Sequence, residues 1–97
     1  MGLFNRVPAD LKYFEDKVQS LAGQMGGLRF GASPPGLVQE LAAEVRQEAV
    51  RLRVRLTAEG RQGDLKTLRK AILSNGRFLD NGTYNHVFYP FVESIFP

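Results

Sequence analysis

A chain of 97 residues with 43% hydrophobic and 24% charged side chains is sized for one domain that buries about two-thirds of its unfolded surface, and its composition suits neither disorder nor a membrane interior. Lacking cysteine, it has no disulfide, no thiolate metal site and no cysteine nucleophile, and no apolar run approaches the roughly 20 residues of a spanning helix. The net charge of +3 is unevenly spread: Arg46 to Arg77 holds nine basic residues against three acids, while the remainder holds four against seven, an asymmetry that points to an anionic partner and says little about fold.

Residues 1 to 7 read as a short apolar arm in which Leu3, Phe4 and Val7 can dock on the body. No secretory signal is predicted, because the start MGLFNRVPADL lacks a long apolar core and a cleavage site, and Arg6 stands where N-myristoylation requires Ser or Thr. A cytoplasmic location is the resulting expectation. From Pro8 the pattern becomes helical, since Leu11, Phe14, Val18, Leu21 and Met25 step by three and four along one face; a helix is predicted over about 8–25. Pro8 suits its first turn, Asp10 complements its dipole, and Gly26-Gly27 is predicted to stop it. Residues 26–34, rich in Gly, Pro and Ser, read as a loop anchored to the core by Leu28 and Phe30. Its glycines do not make a phosphate-cradling loop, for no strand precedes them and no Gly-Lys-Ser/Thr follows.

The second predicted helix, about 35–58, follows Ser33-Pro34-Pro35 and is the longest. Val38, Leu41, Ala42, Val45, Ala49, Leu52 and Leu56 form a broad apolar stripe on it. Nearly opposite lies a narrower seam, Ala43, Val50 and Val54, flanked by Arg46 and Arg53 on one side and by Glu44, Glu48, Arg51 and Arg55 on the other. A surface helix needs one apolar face, so two faces imply a helix sandwiched within the fold or shared with another chain. Val50 to Thr57 also alternates as a half-buried strand would; the unbroken helical period from Val38 to Leu56, with no Gly or Pro between Gly36 and Gly60, favours the helix.

After the turn Glu59 to Gly63, a third helix is predicted over about 64–75, with Asp64 as N-cap, Leu65, Leu68, Ile72 and Leu73 facing the core, Lys66 and Lys70 opposite, and Ser74-Asn75-Gly76 as the stop. Asn81-Gly82 then marks a turn, and its glycosylation sequon with Thr83 reads as turn chemistry. Tyr84, Val87, Phe88, Phe91, Val92 and Ile95 repeat as a last helix, about 84–95, which Pro90 should shorten or kink. Its aromatics are expected to complete the core. The fold class that follows is all-α: one domain, 1–97, built as a small antiparallel three- or four-helix bundle with one long central helix.

Little in the chain suits catalysis. His86 is the only histidine, it sits among bulky neighbours, and Glu15-Asp16, Glu40 with Glu44, and Glu44 with Glu48 are too scattered for a metal site. A phosphorelay role for His86 would need a more accessible imidazole than Val87-Phe88 suggests. No enzyme activity, cofactor or metal is therefore expected. The leading expectation is a helical protein–protein interaction module, an adaptor, small subunit or assembly factor, that forms a homodimer through Ala43, Val50 and Val54, with Phe88 and Phe91 as further interface residues. The alternative is a nucleic-acid-binding helical domain using Arg46, Arg53, Lys66, Arg69 and Lys70. It lacks a glycine-rich KH loop, an RNP-type aromatic strand and zinc-finger spacing, and a helix-turn-helix drawn from Leu52 to Leu73 has too long a first helix.

Overall fold

A computed structural model describes residues 7–97, so the expected docking of Leu3 and Phe4 lies outside the described residues, while Val7 is buried. A 3-10 turn at Ala9–Leu11 leads into α1, Lys12–Arg29; α2 follows at Pro35–Ala58 and α3 at Gln62–Asn75. After a second 3-10 turn, Gly76–Phe78, come α4 at Asn81–Thr83, a π-helical segment at Tyr84–Phe88, and α5 at Tyr89–Ile95, which together make one continuous C-terminal helix. Among the described residues no helix is long and apolar enough to cross a membrane.

The direction of each helix can be read from the pairs that join them. Asp10 meets Arg55, Tyr13 meets Glu48 and Lys17 meets Glu44, at 3.1, 3.3 and 3.2 Å, so α2 runs antiparallel to α1. Asp10 also meets Arg61, and Glu15 meets Asn75, so α3 runs parallel to α1. Tyr84 donates its hydroxyl to the Leu73 carbonyl, at 3.1 Å, and the Arg69 guanidinium lies over the Tyr89 ring, which sets the C-terminal helix antiparallel to α3. The result is an up-down-up-down bundle joined by short turns.

Helix ends are decided by two glycines. Gly31 and Gly60 have φ of +76° and +70°, the left-handed conformation that side chains with a β-carbon avoid. In both turns the residue after the glycine donates five residues back, Ala32 to Gly27 at 2.6 Å and Arg61 to Leu56 at 2.7 Å, while the glycine N–H reaches three residues back, a Schellman motif each time. The predicted stop at Gly26-Gly27 is thus wrong, and α1 passes through both in helical conformation. Their lack of a side chain serves packing instead: a β-carbon on Gly26 would lie 2.9 Å from Leu79, and one on Gly27 would collide with Ser33.

Two further boundaries differ from expectation for local reasons. Asp64 does not cap α3, which starts at Gln62; its carboxylate instead accepts from the Arg61 side chain at 2.7 Å. Asn81-Gly82 is the first turn of a helix, because Asp80 caps it, accepting from the Thr83 N–H at 3.1 Å and the Thr83 hydroxyl at 2.7 Å. That leaves Pro90 inside a continuous helix. The adjoining π segment, in which the Tyr89 N–H reaches the Tyr84 carbonyl, widens the turn just before the ring that would otherwise crowd it.

The apolar stripes meet where their spacing placed them. Leu11, Phe14, Val18 and Leu21 of the first stripe are wholly buried, as are Val45 and Leu56 of α2 and Leu68 of α3. Each such side chain contributes roughly 1.5–3 kcal/mol relative to exposure. Phe14 meets Phe96 edge-to-face at 5.9 Å, joining the first helix to the end of the last. Glu15 is buried among them, its carboxylate bonded to Lys12 at 2.8 Å and to Asn75. Among the described residues no buried side-chain polar atom lacks a partner.

Gly76 is buried directly beneath the Phe88 ring, which occupies the space where a β-carbon would stand. Gly76→Ala is expected to destabilise the fold by about 1–3 kcal/mol through overpacking, read as a lower urea midpoint with unchanged slope. An unchanged midpoint would mean the ring moves aside freely.

Candidate functional site

Three surfaces of the bundle depart from an ordinary polar exterior. The first is the outer face of α2. Ala43 is exposed, Val50 and Val54 keep 56% and 67% of their surface in solvent, and Val50, Arg53, Val54, Thr57 and Ala58 line one shallow depression. The second seam is therefore not covered by another described helix. Charge is graded along it, with Glu40, Glu44 and Glu48 in the first part of α2 and Arg51, Arg53 and Arg55 in the last.

Phe88 and Phe91, expected at an interface, are instead interior, 1% and 7% exposed. Their place on the same stripe as Val92 and Ile95 turns them towards the rest of the bundle. The phenylalanines that do face solvent are Phe30 and Phe78, at 73% and 58%, beside Gly23, Gly26, Gly27 and Leu79, while Tyr13 is half-exposed on α1. Leu28 and Phe30 were expected to anchor a loop to the core; Leu28 is 37% exposed, because the extra turn of α1 carries both outward. Composition alone gave no signal for this pair, since the exposure of Phe30 follows from a helix end that lies four residues later than the glycines suggest.

The third surface emerges from how the cations are paired. Lys12 binds Glu15, Lys17 binds Glu44, Arg51 binds Glu48, and Arg55 and Arg61 share Asp10. Arg61 also holds Glu59 at 3.1 Å and Asp64 at 2.7 Å. The hydrogen bond from Arg61 outweighs the opposing desolvation and, with the charges of Arg61 and Arg55, holds the Asp10 carboxyl below its ordinary range; Asp10, Asp64 and Glu59 in turn push the Arg61 guanidinium upwards. Arg46, Arg53, Lys66, Arg69, Lys70 and Arg77 have no carboxylate within ion-pair distance among the described residues.

Several of these cations are held by rings instead. Arg46 lies 4.8 Å over Phe91 and donates to the Ser94 hydroxyl at 3.2 Å, Arg69 lies 6.0 Å over Tyr89, and Arg77 lies 4.8 Å over Tyr84. Arg53, Lys66 and Arg69 meet around a small depression floored by Leu65, Phe96 and Pro97. The fold thus gathers three of the five predicted polyanion contacts into one place, holds Arg46 two turns before Arg53 on α2 against Phe91 and Ser94 of α5, and leaves Lys70 exposed on α3. His86 is exposed on the π segment, and among the described residues no three His, Asp or Glu side chains gather as metal ligands do.

Comparison with protein-family models, with curated proteins and with solved structures finds no match for this chain.

Asp10 ties the start of α1 to the turn between α2 and α3, and the sign of its pH dependence follows. A carboxyl lowered in the folded state adds stability that is present above its unfolded value, and this is lost as pH falls through the folded value. Asp10→Asn is expected to lower the denaturation midpoint at neutral pH, with the gap to wild type closing on acidification below about pH 4. A gap that stays constant into acid would show that the pair adds no pH-dependent stability.

Proposed function

We propose that the protein is a non-catalytic helical interaction module that self-associates through the outer face of α2. The observation that carries this reading is the pair Val50 and Val54, both more than half exposed on the longest helix, in a seam continued by Ala43. Isolated exposed valines are ordinary on protein surfaces; two stacked at i and i+4 beside a shallow depression are a surface that association would cover.

A second copy of the same chain fits this seam best. Antiparallel packing of two α2 helices sets the arginine-rich end of each beside the glutamate-bearing end of the other. Glu40 and Arg53, which with Arg46 are the charges of α2 without an ion pair among the described residues, are related favourably by a register that lays Ala43 over Val50 of the second copy. Two valines and an alanine per copy are a small apolar core, which supports a reversible dimer rather than an obligate one.

Light scattering at low and high salt tests the proposal. The wild-type chain is expected to show a concentration-dependent dimer that persists at high salt, because apolar contact is not screened, and V50E/V54E is expected to be a folded monomer with an unchanged circular dichroism spectrum. Association by the variant equal to wild type, or a wild-type chain that stays monomeric at every concentration, would remove the seam as an interface.

A further inference from the structure

We infer that the cations left without acid partners, Arg53, Lys66, Arg69 and Lys70 with Arg46 two turns before Arg53 on α2, form a binding face for the phosphate backbone of a nucleic acid. This surface shares only Arg53 with the valine seam, and it rests on how the fold distributes its ion pairs. Asp10, Glu15, Glu44, Glu48, Glu59 and Asp64 are all engaged by Lys12, Lys17, Arg51, Arg55 and Arg61. The acids nearest in sequence to Lys66, Asp64 and Glu59, are thus held by Arg61. Glu93 is the one acid on α5.

Phosphate is the anion these groups fit. A guanidinium laid on an aromatic ring has its flat face covered and its N–H edge turned outward, ready to donate two parallel bonds to a phosphate. Arg46 lies 4.8 Å from the Phe91 ring centre and Arg69 6.0 Å from that of Tyr89, and Ser94 takes only one of Arg46's five donors, so N–H groups remain for phosphate. Arg53, Lys66 and Arg69 meet at one depression while Lys70 and Arg46 lie apart from it on α3 and α2, so the set spans more than one anionic group, as a repeating phosphate backbone requires. No large apolar side chain of α3 is exposed, so this face offers charge without the apolar anchors that a lipid surface or a docked peptide would use.

The rest of the chain gives an internal control for charge alone. Lys66, Arg69 and Lys70 lie on α3, away from the valine seam, and lack acid partners; Lys17, Arg51 and Arg55 carry the same total charge and are all paired. The experiment is fluorescence anisotropy of labelled random-sequence DNA of about 20 nucleotides, single-stranded and duplex, titrated with the full chain between about 50 and 200 mM salt.

For four phosphates contacted on duplex, wild-type affinity is expected to fall on the order of 100-fold across that range. K66S/R69S/K70S is expected to weaken binding at the lower salt by more than about tenfold and to flatten the salt slope by two to three. K17S/R51S/R55S, with equal loss of charge, is expected to bind within about threefold of wild type, since exposed ion pairs add little to stability. Binding of duplex alone, or of both forms, supports the face and says which backbone it fits. Equal losses in the two triple variants, binding that ignores salt, no binding at the lower salt, or a preference for anionic vesicles or polyglutamate over DNA would each overturn it. Circular dichroism confirms that the variants compared are folded, and light scattering separates this result from self-association through α2.

Discussion

The bundle depends on the burial of one face of α1. Leu11, Phe14, Val18 and Leu21 are sealed from solvent on every side, and each of the other long elements touches this helix. Phe14 is the pivot of the arrangement, since its contact with Phe96 ties the first long helix to the last residues described and so closes the chain upon itself. Although α2 is the longest helix, the inner face of α1 is the one that the other helices share. That is why α2 can leave a face uncovered without exposing the core.

Charge follows from the same geometry. Antiparallel packing of α1 and α2 brings Asp10, Tyr13 and Lys17 level with Arg55, Glu48 and Glu44, so ionic contacts gather along that groove. The turn between α2 and α3 adds Arg61, which meets three carboxylates at once. The pairs that engage Asp10, Glu44, Glu48, Glu59 and Asp64 gather there, and Arg46, Arg53, Lys66, Arg69, Lys70 and Arg77 are left without a carboxylate among the described residues. The unpaired basic face is therefore a consequence of packing, and the excess of three charges understates how basic that face is.

Both surfaces, the valine seam and the basic arc, are carried by helices whose inner faces are fixed by the core. Such elements present their outer residues in a constant arrangement without any loop having to order. Arg53 stands at the border between the two, lining the depression beside Val54 and also the one beside Phe96.

Helical periodicity made much of this legible in advance. The all-α class, the core stripes of α1, α2 and α3 and the second seam of α2 follow from the 3.6-residue repeat, because side chains at those spacings must share a face whatever lies opposite. Glycine and proline were less readable. Gly26-Gly27 look like a stop and are a packing surface, Asn81-Gly82 look like a turn and begin a helix, and Pro90 is absorbed by a π segment; each outcome depends on a neighbour, Leu79, Asp80 or the Tyr84 carbonyl, brought by the fold. The same limit applies to function. By itself the sequence determined which faces are apolar and which stretch is basic, since these are properties of local order. Which faces stay open, that Phe88 and Phe91 turn inward, and which cations keep a free charge were decided only by tertiary structure, because burial and ion pairing join residues that are far apart in the chain.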